Sequence, residues 1–568
     1  MKKKLEYVKT YGFLDDFKGK LFDGEWPTVP EMFSIQVQRY GERACFTIYE
    51  PDRISINYNE ALSKIQAVAR WLHSKGIKKG DKAALSGKNS PQWAVAFLGI
   101  LYADATVVPI DYQLKDEEIE LLISTSRSKI LFIDDEKFDR FKGKPMLSEV
   151  ISLNEGTGEY IYNLDGADFV STDPVSEYNT AAILFTSGTT GNPKGVMLSH
   201  RNFVSDTYLA QGTPFYVYHT DIFYALLPIH HAYTMQAVLI EAISQGAEVV
   251  FGKKMVVSSI LHDLKAAKIT MLLGVPMLFN KLLAGILKGI REKGIFVYGL
   301  IMFLMKISGF IKKTFGVNPG KKMFKQILDA ASLTTLRTCI SGGGPLAPEV
   351  FRKYNQLGID FVQGYGLTET SPIINLNPIA HYKEQSVGRV CAGIDMRILM
   401  PDERGVGEVI LKGPMVMQGY FEDPEETAKC FTDDGYFKTG DLGFLDDEDY
   451  LYLTGRAKNL IVTEGGKNVY PEEIENEFQL FNEIEQVLVR GFIDDKKQKT
   501  EHIEAVIFPN MDFFQSNGSS AKEQVEQRIK TIISEVNGRL KPYEKIERTT
   551  ILDERLEETT TKKIKRNL

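Results

Sequence analysis

The sequence contains few cysteines, and their arrangement indicates neither a disulfide framework nor a metal site. Cys45, Cys339, Cys391 and Cys430 are the four cysteines among 568 residues, and no two of them form a C-x-x-C pair. Internal repeats and low-complexity tracts are absent, and the basic start MKKKLEYVKTYGFLDD lacks the apolar core of a signal peptide. We therefore expect a protein of the reducing cytoplasm.

An excess of basic residues is missing as well. The 68 lysines and arginines are outnumbered by 75 aspartates and glutamates, which gives a net charge of -7 at pH 7. Because nucleic-acid-binding domains normally carry a basic face, we expect no nucleic-acid partner. Apolar residues make up 43% of the chain, a fraction typical of globular proteins with large buried cores.

One long apolar run stands out. The stretch IFVYGLIMFLMKISGFI begins at Ile295, ends at Ile311 and contains one charge, Lys306, with basic residues on both flanks. A helix of this length reaches about 26 Å, which is short of a hydrocarbon core of roughly 30 Å.

Strand-like and helix-like segments alternate through the first part of the chain. Residues 59–76 and 91–103 have helical patterns, whereas residues 128–135 and 181–187 are typical of buried strands. This alternation predicts an α/β protein with parallel, doubly wound sheets.

The last part of the chain has the pattern of a smaller, separate unit. After YLYLTGRAKNLIV (residues 450–462), a helix is predicted at residues 471–481, and strands and a further helix follow. About 110 residues of this kind are enough to fold alone. We therefore predict a large N-terminal domain, residues 1–455, and a small α+β C-terminal domain, residues 456–568.

The stretch ILFTSGTTGNPKGVMLSH (residues 183–200) joins small and hydroxyl residues between two apolar runs. Such a loop leaves backbone N–H groups open to phosphate oxygens. It is not a Walker loop, because Pro193 stands where the second glycine is required and Gly195 follows Lys194 in place of a hydroxyl residue. Residues 196–198 predict a strand after it. Taken alone, the stretch is either a phosphate loop or a hydroxyl-rich hairpin turn.

Four further motifs follow in a fixed order: SGGGPLAPEV (341–350), VQGYGLTETSP (362–372), GYFKTGDLG (435–443) and GRAKNLIVTEGGKNVYPEEIE (455–475). Together with the first stretch they resemble the adenylate-forming (AMP-binding) superfamily, and within it most closely the long-chain fatty-acid–CoA ligases. The resemblance covers the chain from about residue 30 onward. It implies a doubly wound N-terminal domain that binds AMP and the acyl group, with a small mobile C-terminal domain.

The resemblance also implies a reaction in two steps. A fatty carboxylate attacks the α-phosphorus of ATP to give acyl-AMP and pyrophosphate, and the thiol of coenzyme A then displaces AMP. ATP, Mg²⁺, coenzyme A and a fatty acid are the implied ligands. Both steps bring negative charges together, so catalysis requires positioned donors and cations.

The family's phosphate and magnesium positions fall on the first stretch and on the GLTET motif. The residues matching the loop for the β and γ phosphates are Thr186, Ser187, Gly188, Thr189, Thr190, Gly191 and Lys194. Thr189 and Glu369 match the magnesium ligands, a sparse set that suits an ion which retains waters and phosphate oxygens. The alternative for Glu369 is a surface salt bridge, which is the usual role of a glutamate that lies outside such a motif.

The remaining nucleotide positions fall on the other motifs. Those matching the adenine walls are Gly342, Gly343, Gly344, Pro345, Gly364, Tyr365 and Gly366. Thr368 matches the contact to the α phosphate, and Asp441 and Arg456 match the ribose contacts. A lone GGGP is more often a turn, so these assignments depend on the full set of motifs.

His231, in LPIHHAYTM, matches the residue beside the acyl carboxylate, and a packed core histidine is the alternative. Two adjacent histidines point in different directions, so His230 and His231 are not expected to bind a metal as a helical i, i+4 pair does.

The C-terminal end departs from the family pattern, because Glu557 and Glu558 stand where proline and lysine are usual. Alignment makes Lys563 the adenylation lysine, which would bridge the carboxylate and the α phosphate, and Lys562 is the alternative. A solvated, fraying basic tail is the other interpretation. Lys458 matches the hinge about which the C-terminal domain rotates, and Gly466 matches the lining of the coenzyme A tunnel.

The apolar run lies between His231 and Gly342, which the resemblance places in one pocket, so a single membrane crossing is excluded. A buried helix and an interfacial helix are left, and we favour the interfacial one because fatty acids partition into membranes. We therefore expect a cytoplasmic protein associated peripherally with the inner face of a membrane.

The favoured function is activation of a long-chain fatty acid to its CoA thioester. The alternatives are an acyl- or aryl-AMP ligase that loads a carrier protein, and a catalytically silent membrane-associated protein of the same fold.

Overall fold

The computed structural model of the protein describes residues 6–568 except 157, 169–173, 187–192, 214, 464–466, 493–501, 520, 559–563 and 567–568. The strands are β1 (Ala44–Ile48), β2 (Ile54–Asn57), β3 (Lys82–Ser86), β4 (Thr106–Pro109), β5 (Ser128–Ile133), β6 (Glu149–Ser152), β7 (Thr180–Thr186), β8 (Lys194–Ser199), β9 (Ile222–Ala225), β10 (Glu248–Phe251), β11 (Met271–Gly274), β12 (Thr338–Ser341), β13 (Asp360–Tyr365), β14 (Asn375–Leu376), β15 (Gly388–Val390), β16 (Asp395–Leu399), β17 (Gly407–Lys412), β18 (Gly419–Tyr420), β19 (Phe437–Leu445), β20 (Tyr450–Arg456), β21 (Ile461–Val462), β22 (Asn468–Val469), β23 (Ile484–Phe492), β24 (His502–Pro509) and β25 (Arg548–Ile551).

The helices are α1 (Val29–Tyr40), α2 (Tyr58–Ser74), α3 (Pro91–Tyr102), α4 (Asp116–Ser126), α5 (Asp135–Phe141), α6 (His200–Gly212), α7 (Ala232–Thr234), α8 (Glu241–Ser244), α9 (Val257–Ala266), α10 (Pro276–Arg291), α11 (Ile295–Phe315), α12 (Gly320–Met323), α13 (Lys325–Ala330), α14 (Pro348–Gln356), α15 (Pro424–Lys429), α16 (Pro471–Asn476), α17 (Met511–Ser516) and α18 (Lys522–Asn537).

The larger sheet has thirteen strands in the order β16-β17-β19-β20-β15-β14-β13-β12-β11-β9-β10-β1-β2. The strands from β13 to β1 are parallel, as the strand–helix alternation predicts. From β13 to β16 the pairing is antiparallel, which the alternation did not predict. Antiparallel neighbours need only a short turn between them, and no crossover helix signals their presence.

The second sheet has seven strands in the order β18-β8-β7-β4-β3-β5-β6. The strands from β7 to β6 are parallel, and β8 returns beside β7 as an antiparallel hairpin. The predicted strand after the first motif is therefore confirmed as β8.

The central strands of both sheets are buried on both faces. In β9, Phe223 packs in the core between the two sheets, whereas Tyr224 packs in a second core on the outer face. In β3, Ala83 and Leu85 face the shared core and Ala84 faces a third one. Burial on both faces is typical of parallel sheets covered by helices, and it confirms the doubly wound α/β class.

The C-terminal part forms a small α+β unit with its own hydrophobic core. Strands β23, β24 and β25 make one sheet, and α18 packs on it through Ile529 and Ile532. Helix α16 ends at Asn476, so the prediction of a helix to residue 481 is wrong. Phe478 and Phe481 instead pack against this core from the turns that follow α16. The exact division of the chain into domains stays a prediction.

The apolar run forms α11, a helix of 21 residues that is longer than the apolar run itself. Its inner face is fixed at Lys312, whose ammonium lies 2.7 Å from Asn355 Oδ1 and 2.7 Å from Asp360 Oδ1. Only 17% of the most apolar 18-residue stretch of this helix is buried, so the alternative of a buried core helix is wrong.

By length and composition α11 is able to span a membrane. However, β11 and β12 flank α11 in the sequence and are parallel neighbours in one sheet, with Leu272 opposite Cys339. A single crossing between them would separate two paired strands. The helix therefore lies on the surface of the folded unit.

Candidate functional site

Two of the motifs and the LPIHHAYTM stretch meet at one edge of the larger sheet. Strands β9, β11, β12 and β13 are consecutive parallel neighbours, so their carboxyl ends face the same edge. His231 follows β9, the glycines of SGGGP follow β12, and Tyr365 ends β13. In open α/β sheets, the crevice outside the carboxyl ends of the strands is the usual position of a ligand.

Close packing explains part of the glycine pattern at this edge. A methyl group on Gly366 would lie 1.2 Å from the carbonyl oxygen of Pro372, so no larger residue fits there. Gly343 has a φ of +77°, in the left-handed region that favours glycine. A methyl group on Gly342 would lie 3.0 Å from the ring of Tyr233, a wall residue that no motif indicated.

The two predicted ribose residues, Asp441 and Arg456, form a hydrogen-bonded group with Tyr365, which was predicted at the adenine. The Tyr365 hydroxyl donates to Asp441 Oδ2 at 2.6 Å, and Arg456 Nε lies 2.9 Å from Asp441 Oδ1. Asp441 and Arg456 are direct partners across β19 and β20, so sheet register sets their separation. Burial and the Asp441 carboxylate raise the pKa of the Tyr365 phenol, which stays protonated and is able to donate.

Lys194 and Glu369 both contact Tyr420. The Lys194 ammonium is 5.2 Å from the centre of the Tyr420 ring, and the Tyr420 hydroxyl donates to Glu369 Oε1 at 3.0 Å. Lys194 also pairs with Glu426 Oε2 at 2.5 Å. Hydrogen bonding to Lys194 lowers the pKa of the Glu426 carboxyl to about 2. Sequence reasoning missed Tyr420 and Glu426, because β18 and α15 carry no motif of their own.

The predicted phosphate loop connects β7 to β8. Thr186 and Lys194 pair across this hairpin, and Thr186 Oγ1 donates to the Lys194 carbonyl at 3.4 Å. Several predicted site residues lie outside the described residues: Ser187, Gly188, Thr189, Thr190, Gly191, Gly466, Lys563 and its alternative Lys562.

Four further predicted positions lie around the same edge. Gly344 faces Pro276, and Gly364 pairs with Leu376. Thr368, three residues after Tyr365 in the same motif, begins a short 3-10 turn. The Pro345 carbonyl accepts a hydrogen bond from Gln479 Nε2 at 3.1 Å, which links the GGGP loop to the C-terminal unit.

The rings of the two histidines lie beside each other, although adjacent side chains were expected to point in different directions. The rings of His230 and His231 have centroids 4.1 Å apart, and His230 Nε2 is 3.5 Å from Asp111 Oδ2. His230 and Asp111 are buried, whereas His231 is partly exposed.

Lys458 lies in a 3-10 turn, Ala457–Asn459, directly after the last strand of the larger sheet. The turn is therefore the covalent connection between that sheet and the C-terminal unit. Burial and the charges of Arg456 and Arg566 lower the pKa of the Lys458 ammonium.

The described parts of the C-terminal tail are docked. The Leu556 amide donates to Gln486 Oε1 at 2.8 Å, and Gln486 Nε2 donates to Glu558 Oε1 at 2.6 Å. On the other side of residues 559–563, Arg566 Nη2 donates to Glu475 Oε2 at 2.6 Å. Both flanks of Lys563 are thus bound to the C-terminal unit, so the fraying interpretation does not hold for them.

A family model described as AMP-binding enzyme matches residues 33–421. The chain is 26% identical to a chloroplast long-chain-fatty-acid–[acyl-carrier-protein] ligase of Arabidopsis thaliana, over 96% of this chain and 86% of that protein. It is 25% identical to a long-chain-fatty-acid–CoA ligase of Bacillus subtilis, over 83% of this chain and 84% of that protein.

The fold is similar to that of ATP-bound MatB from Rhodopseudomonas palustris, with a TM-score of 0.74, 24% identity, and coverage of 95% of this chain and 98% of that one.

Proposed function

Because the chain belongs to the AMP-binding enzyme family, we propose that it activates a long-chain fatty acid to its CoA thioester through an acyl-adenylate. One observation carries the proposal. The groups that the resemblance assigns to ribose and to phosphate lie together in pairs: Arg456 Nε is 2.9 Å from Asp441 Oδ1, and Lys194 and Glu369 both contact Tyr420.

The donor set fits ATP and Mg²⁺. The Lys194 ammonium suits phosphate oxygens once it exchanges Glu426 for them. Glu369 would supply a carboxylate oxygen to Mg²⁺, with Thr189 as the expected second protein ligand. The bound ion would neutralise phosphate charge. The Tyr420 hydroxyl holds the Glu369 carboxylate in place through its hydrogen bond.

The remaining predicted residues complete the proposed reaction. Asp441 and Arg456 would hold the ribose, and His231 would lie beside the acyl carboxylate. Lys563 would bring its ammonium to the carboxylate and the α phosphate during adenylation. Gly466 would line the path of coenzyme A after rotation at Lys458.

An isotope-exchange assay tests the proposal. ATP–pyrophosphate exchange is measured with short-, medium- and long-chain fatty acids and with an aryl acid, and thioester formation is measured with coenzyme A. We expect exchange to depend on the long-chain acid and thioester to form with coenzyme A. Exchange with none of the acids would contradict the proposal and would favour a silent protein of this fold.

A second candidate is a ligase that loads an acyl carrier protein. It is favoured by the Arabidopsis acyl-carrier-protein ligase, which aligns with 96% of this chain. Adding a phosphopantetheinylated carrier protein in place of coenzyme A separates the two. Acyl transfer to the carrier protein, with no thioester formed from coenzyme A, would establish this candidate instead.

We also propose that α11 is a peripheral membrane contact on the inner face of a cytoplasmic membrane. Large apolar residues are exposed along it at helical spacing, among them Phe296 (90%), Leu300 (59%), Phe303 (60%) and Phe310 (63%). Such a face suits the boundary between headgroups and acyl chains. Exposed Arg291, Lys293, Lys306 and Lys313 lie on or beside the helix, and their charge suits anionic lipid.

Vesicle co-sedimentation tests this contact. Replacing Phe296, Phe303 and Phe310 together by serine removes apolar area without touching the buried anchor Lys312. We expect binding to vesicles that contain phosphatidylserine to fall at least about fivefold. Met400→Ser, at an exposed apolar residue of another surface, is the matched control and retains binding. Equal binding of the triple variant and the wild type would rule out the contact.

A further inference from the structure

We infer that Asp111, His230 and His231 form a binding site for a divalent transition-metal ion of the Zn²⁺ class. One ligand atom from each residue lies within 4.8 Å of those of the other two. Two imidazoles and one carboxylate are the donor types that Zn²⁺ accepts, whereas Mg²⁺ prefers oxygen ligands. Three protein ligands leave one position of a tetrahedral site open.

The site lies where the two large sheets meet. Asp111 follows β4 of the seven-stranded sheet, and His230 follows β9 of the thirteen-stranded sheet. Asn89 braces the histidine segment, because its side-chain amide donates to the Ala225 and Leu227 carbonyls at 2.8 and 2.9 Å. Its Oδ1 also accepts from the Ile229 amide at 3.0 Å. The backbone that carries His230 is therefore held in place before any ion binds.

Asp111 and His230 have buried polar atoms without hydrogen bonds. His230 is 6% exposed and Asp111 8% exposed, and both ring nitrogens of His230 and Oδ2 of Asp111 lack a hydrogen-bond partner. Unsatisfied buried groups of this kind are rare in proteins and unfavourable. A bound ion would satisfy one nitrogen and the carboxylate oxygen together.

The Asp111 carboxylate is held in one orientation. Its Oδ1 accepts a hydrogen bond from the Gln113 amide at 2.9 Å, which leaves Oδ2 directed towards the histidines.

A second cluster among the described residues, Glu50, His262 and Asp263, provides a contrast. Its histidine is exposed, and Asp263 already accepts a hydrogen bond from the Tyr224 hydroxyl at 2.7 Å. We therefore assign no ion to it, and His262 serves as a control position.

Metal binding is measured on the full chain with Zn²⁺ and with Co²⁺, in the absence of ATP and acid, so the result does not depend on the proposed function. We expect about one equivalent of Zn²⁺ after dialysis and a Co²⁺ absorption spectrum typical of tetrahedral ligation. Asp111→Asn and His230→Gln should each weaken Zn²⁺ binding at least about 100-fold, since loss of even an outer-shell partner costs 10- to 100-fold.

His262→Gln should bind Zn²⁺ like the wild type, and circular dichroism checks that all variants are folded. Wild-type protein without stoichiometric Zn²⁺ overturns the inference. Unchanged affinity in folded Asp111→Asn and His230→Gln also overturns it, because the ion would then lie elsewhere.

Discussion

Lys194 has a carboxylate partner at the position where phosphate is expected. Its ammonium lies 2.5 Å from Glu426 Oε2, and the pKa of that carboxyl, about 2, keeps the pair ionised at neutral pH. Under the proposed function, ATP has to replace Glu426 as the partner of Lys194. The affinity for ATP therefore depends on the difference in free energy between the Lys194–phosphate contact and the Lys194–Glu426 contact.

Substitution of each partner separates the two roles. Lys194→Met should lower kcat/KM for ATP in pyrophosphate exchange at least about 100-fold, because a donor to the phosphates is lost. The matched variant Glu426→Gln breaks the same pair from the other side and should lower the KM for ATP about two- to fivefold. Wild-type exchange in Lys194→Met would show that Lys194 does not hold the phosphates.

At this scale, the family resemblance placed Asp441 and Arg456 together at the ribose, and sheet register pairs them, but it placed Tyr365 at the adenine and not beside Asp441. It did not indicate that Glu369 contacts Tyr420 or that Lys194 pairs with Glu426. These partners are 51 and 232 residues apart, and only tertiary packing joins them.

Among the elements, β24 carries an unusual buried carboxylate, Glu504, in the centre of the C-terminal sheet. Its oxygens accept hydrogen bonds from Arg490 and Arg548 at 2.8 Å and from Thr550 at 2.7 Å. Burial raises the pKa of Glu504, but these hydrogen bonds outweigh it and lower the pKa to about 2.

This carboxylate makes the C-terminal sheet sensitive to acid. A depressed pKa in the folded state contributes stability above the unfolded value of 4.5, and that contribution is lost as the pH falls towards about 2. Glu504→Gln should lower the local free energy of unfolding by about 2–3 kcal/mol at pH 7. In this variant the same free energy should also decrease less as the pH is lowered. Amide hydrogen exchange of β23–β25 measures both, with exposed Glu523→Gln as the control. An unchanged acid profile in Glu504→Gln would contradict this assignment.

The elements themselves were predicted best where the chain alternates between strand and helix. Strand β3 and helices α2 and α3 follow that pattern. Helix α16 is shorter than predicted because Phe478 and Phe481 reach the core from turns. Helix α11 continues past the last apolar residue of the run, and Lys312, the first residue of this continuation, is anchored to Asp360.

At the scale of the whole molecule, side-chain contacts join the C-terminal unit to the larger sheets. Gln479 donates to the Pro345 carbonyl, and Tyr470 packs with Val406 and Leu442. Sequence alone indicated the turn at Lys458 as a hinge but not these contacts, because they depend on how the units sit together. A rotation of the C-terminal unit has to break them.

A proline at position 458 tests this rotation. Lys458→Pro should leave acyl-adenylate formation, trapped with hydroxylamine, within about twofold of wild type, because hinges lie away from the chemistry. Thioester formation should fall at least about 100-fold, because the second conformation is no longer reached. Lys458→Ala retains the backbone freedom and should support both steps. Equal retention of both steps in Lys458→Pro would rule out a hinge at this position.

The identity of the nucleotide product tests the central claim most directly. Purified protein is incubated with ATP, Mg²⁺, a long-chain fatty acid and coenzyme A, and the nucleotides are separated by chromatography. We predict AMP and pyrophosphate in equal amounts, because the carboxylate attacks the α-phosphorus. Formation of ADP, or no turnover of ATP, would contradict the account.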